Sequence, residues 1–192
     1  MKIILGSNSP RRKELLKQMD IEFEVRSPNV EEEIDKNLSM FEIPIDIVLQ
    51  KIRSIEKFPN EIIICADTLV FLNGEPIGKP NTLAEAKAML RRLSGNTHVV
   101  ITAVAIAYEN EICTFSDQST VHFNVLEARD IDFYVDTFKP LDKAGSYGIQ
   151  EWIGAIGIER IQGSYNNVMG LPTHLLHPYL KDIINKKGAK PL

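Results

Sequence analysis

Five consecutive apolar residues, Ile62-Ile63-Ile64-Cys65-Ala66, constrain this chain more than any other feature. The run has no polar face to turn to water. It therefore predicts a strand buried on both sides, as in sheets covered by helices on each face. The neighbouring periodicities supply the covering layers. Ile3-Ile4-Leu5-Gly6 reads as another strand, and Leu15, Leu16 and Met19 fall on the inward side of a helix expected over residues 10–19. Residues 23–27 alternate like a strand, while Ile45, Val48, Leu49, Ile52 and Ile55 repeat at helical spacing. Asn73-Gly74, between residues 69–72 and 75–77, is a type I′ hairpin signal. Thr82-Leu83-Ala84-Glu85 is a capping box for a helix ending near Ser94-Gly95. Two long strands follow over 98–108 and 112–126, then a helix over 131–138, a strand near 156–161 and a last helix over about 173–185. Strands alternate with helices but hairpins interrupt them, so the class is α/β with a mixed sheet.

With 192 residues the chain can form one substantial domain or two small lobes. Its 22 Lys and Arg against 26 Asp and Glu give a net charge of −4 with no basic tail, which argues against general nucleic-acid binding. Any bound phosphate would sit in a local basic pocket. Cys65 and Cys113 both lie in apolar runs and are expected to be buried free thiols. The sequence shows neither a signal segment nor a long apolar span. A soluble, cytoplasmic protein without a membrane partner is expected.

Several segments could carry chemistry. Ser7-Asn8-Ser9-Pro10-Arg11-Arg12 joins a strand to a helix, with Ser9 as N-cap and Pro10 in the first turn. Two arginines beside the positive end of a helix dipole suit a bound phosphate, though they also describe a capped helix with solvated arginines. Asp67-Thr68 is expected at the end of the buried 62–66 strand, where α/β sheets bind ligands and a carboxylate can activate water or hold a metal. It equally suits the start of the turn into the hairpin. Gly74-Glu75-Pro76-Ile77-Gly78-Lys79-Pro80 fails as a Walker A loop, one residue short and with Pro80 where Ser or Thr belongs. Lys79, pinned between Gly78 and Pro80, suits a phosphate ligand and equally an ordinary exposed loop lysine. Glu31, Glu32 and Glu33 read as a solvated run, one member of which could face a metal. Residues 142–150 mix charge, glycines, an aromatic and an amide without periodicity, the composition of a ligand-binding loop. The four histidines do not cluster, so a zinc site is not expected.

Taken together, Ser7-Asn8-Ser9-Pro10-Arg11-Arg12, Ala66-Asp67-Thr68-Leu69-Val70, Gly78-Lys79-Pro80, Ser94-Gly95-Asn96-Thr97-His98, residues 142–150 and residues 163–172 resemble, in order, the Maf family of nucleoside triphosphate pyrophosphatases. The resemblance runs from residue 3 to about 176. It implies a Maf/ITPase-like mixed, twisted sheet flanked by helices, with a cleft at the strand ends, formed by residues 1–192 as one domain or two lobes. It implies hydrolysis of a nucleoside triphosphate to the monophosphate and pyrophosphate with Mg²⁺ or Mn²⁺. Asp67 would be the proton acceptor and, with Glu32, would face the metal. Ser7, Arg11, Lys51 and Lys79 would bind phosphate. Arg12, Thr68 and Gln150 match the branch acting on dTTP and UTP, and a Gln amide offers donor and acceptor to a pyrimidine edge. The alternatives are a 7-methyl-GTP pyrophosphatase and a non-catalytic nucleotide-binding regulator of cell division. Roles in nucleotide-pool sanitation or cell-division arrest, and a homodimer, are also family expectations.

Overall fold

A computed structural model describes residues 1–31, 33–35 and 37–186. Its seven-stranded sheet has the order β2-β1-β3-β5-β6-β7, with β4 paired to β3. The strands are β1 Lys2–Leu5, β2 Glu24–Val25, β3 Glu61–Leu72, β4 Glu75–Ile77, β5 Thr97–Tyr108, β6 Glu111–Phe123 and β7 Ile158–Gln162. The helices are α1 Pro10–Gln18, α2 Glu42–Arg53, α3 Leu83–Leu93, α4 Ala128–Phe138, α5 Trp152–Gly157, α6 Tyr165–Met169 and α7 Thr173–Lys186. The mixed α/β class is as expected. The chain divides into two compact units, the first comprising Met1–Asp67, Thr102–Asp117 and Gly170–Leu192, the second Thr68–Ile101 and Gln118–Met169.

In the first unit β1 pairs in parallel with both β2 and β3, Ile4 opposite Glu24 and Ile63. Residues 62–66 are buried throughout, as the unbroken apolar run requires. One face of the sheet packs on α2: Ile4, Ile63 and Cys65 meet Val48, Ile52 and Ile55, together with Ala103, Ala105 and Ala107 of β5. The alternating alanines keep β5 low on this face and let branched side chains from the helix approach. A fully buried Ile contributes about 1.5–3 kcal/mol. Gly6 lies so close to β3 that a Cβ there would collide with Cys65 Sγ and Ile55 Cδ1. The expected helical stripe is present through Ile52, but α2 ends at Arg53, so Ile55 packs from just beyond the helix, and α2 also starts earlier and buries Ile43, Pro44 and Ile47. Met19 caps α1 half-buried, and β2 is only two residues long.

In the second unit the expected hairpin forms. Asn73 and Gly74 have φ of 54° and 82°, the left-handed pair that a type I′ turn needs. Thr82 caps α3 through a 3.1 Å bond from the Glu85 N–H, while the Glu85 carboxylate reaches back to the N–H of Asn81, at 2.7 Å. The strand expected near 156–161 is β7 at 158–162, and α5 occupies the glycine-rich stretch before it. Strand β6 ends at Phe123, short of the expected 126. Cys65 is buried as expected, whereas Cys113 is only half-buried. No helix among the described residues is long and apolar enough to cross a membrane.

Candidate active site

The first unit holds Ser7, Arg11, Arg12, Lys51 and Asp67. Ser9 caps α1, and no acidic side chain occupies the helix's first turn. The Ser7 hydroxyl accepts from the Ser9 N–H and from Arg12 Nη1, both at 3.2 Å, and Arg12 Nε donates to the Gly170 carbonyl at 2.9 Å. These bonds hold the arginine against the start of the helix instead of leaving it solvated. Arg11 is half-buried. The result is a positively charged helix start with a buried hydroxyl, the chemistry that recognises phosphate.

Asp67 differs from the sequence expectation. It does not end a strand and does not begin a turn. Strand β3 continues through Asp67 and Thr68 to Leu72. Two polar residues inside an apolar run mimic a boundary, but both lie within the strand. Side chains two apart share a face, so Asp67 lies on the face of Ile63 and Cys65, toward α2. On α2, Lys51 lies on the stripe of Val48 and Ile52, and its ammonium meets the Asp67 carboxylate. Both residues are buried, at 8% and 7% exposure. Removing two such charges from water costs several kcal/mol per ion, which mutual attraction only partly offsets. A buried Lys/Asp pair is therefore a poor device for stability and a good candidate for chemistry. Cys65 sits beneath it. Burial pushes its thiol up to about 12, against the pull of the Lys51 and Arg12 charges. Both cations thus act on one neighbourhood.

Thr68, Lys79 and Gln150 belong to the second unit. Thr68 is half-buried in β3, while Lys79 and Gln150 are exposed on loops. The Gly145 N–H donates to the Gly78 carbonyl at 3.1 Å, tying the loop that carries Lys79 to the loop that carries Gln150. The loop 142–150 is anchored from below. Tyr147 is hydrogen-bonded to His98 Nε2 at 2.7 Å, and the two rings pack edge-on at 5.4 Å. Burial pushes His98 down to about 4, so the ring is neutral at pH 7. Lys143, also buried, contacts Asp142 at 2.7 Å and Glu151 at 3.2 Å. Lys143, Tyr134 and Glu151 are supports that the sequence reading missed. Tyr134 follows Ile131 and precedes Val135 on the buried stripe of α4, where a hydroxyl needs a partner. That spacing was the available signal.

Glu32 lies outside the described residues. Among the described residues, no group of three or more His, Cys, Asp or Glu side chains is arranged to hold a metal. Mg²⁺ does not require such a cage: one or two carboxylates, waters and substrate phosphates suffice. Asp67 fits that donor set.

The chain shares its fold with the solved structure of the Staphylococcus aureus Ham1 protein, at a TM-score of 0.53 and 18% identity, over 95% of this chain and 100% of that one. It is 46% identical over 186 residues to a protein of Porphyromonas gingivalis named dTTP/UTP pyrophosphatase, spanning 94% of each chain. A protein of the same name from Phocaeicola vulgatus is 48% identical over 185 residues, 95% of this chain and 96% of the other. Another from Flavobacterium psychrophilum is 46% identical over 181 residues, 93% of each. Residues 2–183 match the family described as Maf-like protein, and the chain belongs to that family.

Proposed function

We propose that this protein is a nucleoside triphosphate pyrophosphatase that hydrolyses dTTP and UTP to the monophosphate and pyrophosphate. The observation that carries the reading is its likeness, over nearly the whole chain, to relatives named dTTP/UTP pyrophosphatase. The buried carboxylate of Asp67, paired with Lys51, supports it. In this reading Asp67 accepts a proton from water as the water oxygen bonds to phosphorus. The P–O bond bridging the α and β phosphates breaks, and its electron pair leaves with the product on the far side of the attacked phosphorus, so that monophosphate and pyrophosphate result. Lys51 lies against that carboxylate, and an ammonium carries three donors, so it can bridge Asp67 and a phosphate oxygen. Ser7, Arg11 and Lys79 bind the phosphates, because phosphoryl transfer depends chiefly on positioning and charge neutralisation. Mg²⁺ or Mn²⁺, held by Asp67 with Glu32 as the second expected ligand, would add positive charge to the phosphates. Arg12, Thr68 and Gln150 select the base. A cytoplasmic site of action suits this substrate class.

The test is product analysis. With Mg²⁺, UTP and dTTP should yield monophosphate and pyrophosphate on anion-exchange chromatography. A diphosphate with orthophosphate would overturn the reaction assignment, and faster turnover of 7-methyl-GTP would overturn the substrate assignment.

A further inference from the structure

We propose that Tyr134 is a positioning residue for base selection: its hydroxyl clamps both ends of the turn 148–151 that presents Gln150. This inference rests on the reading of Gln150 as a base-selecting residue. Tyr134 is fully buried on α4. Its oxygen accepts the Gly148 N–H at 3.0 Å, and its proton goes to a Glu151 carboxylate oxygen. The Glu151 N–H donates to the Gly148 carbonyl at 3.0 Å, closing the turn between the two clamped residues. Lys143 holds the other Glu151 oxygen at 3.2 Å. A Cβ on Gly148 would lie 2.6 Å from the Glu151 carboxyl carbon, so the turn is packed against its own clamp. Ile149 is buried and Gln150 is exposed, which fixes the direction in which the amide emerges. Burial and the Glu151 charge both push the phenol's pKa upward, keeping the proton in place as a donor.

A tyrosine that merely fills the core would leave base choice untouched when its hydroxyl is lost. The experiment compares wild type, Tyr134→Phe, Gln150→Ala and the double variant, scoring kcat/KM for UTP over that for 7-methyl-GTP. Tyr134→Phe keeps the ring and should lower this ratio about tenfold, the scale of one lost hydrogen bond, through KM for UTP more than through kcat. In the Gln150→Ala background the same change should have no further effect. A normal ratio in Tyr134→Phe, with Gln150→Ala still lowering it, would overturn the inference and leave the reading of Gln150 standing. An equal loss in both backgrounds would also overturn it. A normal ratio in Gln150→Ala alone would overturn the reading of Gln150 and the inference with it. If Tyr134→Phe does not fold, Glu151→Gln decides. It keeps an acceptor for the hydroxyl but loses the charge, and should lower the ratio by a smaller factor. No change in Glu151→Gln would then refute the clamp.

Discussion

The candidate residues of the two units are held in opposite ways. In the first, Asp67 and Lys51 sit on a strand and a helix, both buried, each the other's counter-charge. In the second, Lys79 and Gln150 stand exposed on loops joined by the Gly145–Gly78 bond, the loop of Gln150 being held by buried Tyr147 within it and by Tyr134 of α4. Groups on regular elements are located more tightly than groups on loops. The first arrangement should therefore couple activity to stability, and the second should separate them.

The largest expected effect concerns Asp67→Asn. Loss of a general base costs about 10² to 10⁴ in rate. Because the Lys51 ammonium would be left buried without its counter-charge, the melting temperature should fall as well. Turnover of UTP close to wild type would refute the assigned role, and an unchanged melting temperature would break the proposed coupling.

Lys51→Met removes the other half of the pair and should destabilise the fold by about 3–5 kcal/mol. The double variant Lys51→Met/Asp67→Leu removes both charges and should recover most of that stability in urea titrations, while remaining inactive. A double variant no more stable than Lys51→Met alone would show that the pair itself supports the fold.

In the second unit, pH should reveal the buried root of the loop. His98 has a folded-state pKa lowered from 6.5 to about 4 by burial. The unfolded chain binds this proton first, so the contribution is complete above pH 6.5 and is lost as pH falls toward 4. The full difference corresponds to about 3 kcal/mol. His98→Gln should flatten the wild-type slope in that window, as measured by urea titration at several pH values. Parallel slopes for the two proteins would mean that His98 takes up its proton without penalty in the fold.

The smallest effect is that of Lys79→Ala. Losing a charge-assisted phosphate contact of about 1.5–3 kcal/mol should lower kcat/KM by about one to two decades. The melting temperature should not move, because the side chain is exposed. A fall comparable to that of Lys51→Met would erase the contrast between the units. Unchanged kinetics would make Lys79 an ordinary loop lysine.

Local rules made much of the frame legible. The Asn73-Gly74 turn, the Thr82 cap and the 62–66 run each carry a stereochemical reason visible in a few residues. The continuation of β3 through Asp67 was not visible, because a carboxylate and a hydroxyl inside an apolar run look like its end. The chain tolerates them because a cation arrives from α2, more than a dozen residues upstream. Lys51 was named only through the family resemblance, although its place between Val48 and Ile52 on α2, where a charge is out of keeping with the stripe, was a signal in the residues themselves. Helix α5 escaped because Trp152-Ile153-Gly154-Ala155-Ile156-Gly157 has poor intrinsic helicity. Gly154 is there for closeness: a Cβ on it would strike the Ile149 carbonyl. The clamp by Tyr134 depends on chain segments that meet only in the fold.

The unbroken course of β3 also bears on how such a protein can change over generations. Inserting or deleting one residue between its start and Asp67 would turn every later side chain to the opposite face, carrying the carboxylate away from Lys51. The loop at 142–150 faces no such parity rule and can exchange residues one at a time. With base selection in that loop and water activation at Asp67, as proposed, lineages descended from such a chain could explore new nucleobases by rewriting the loop, while the register of a single strand would keep the hydrolytic step the same.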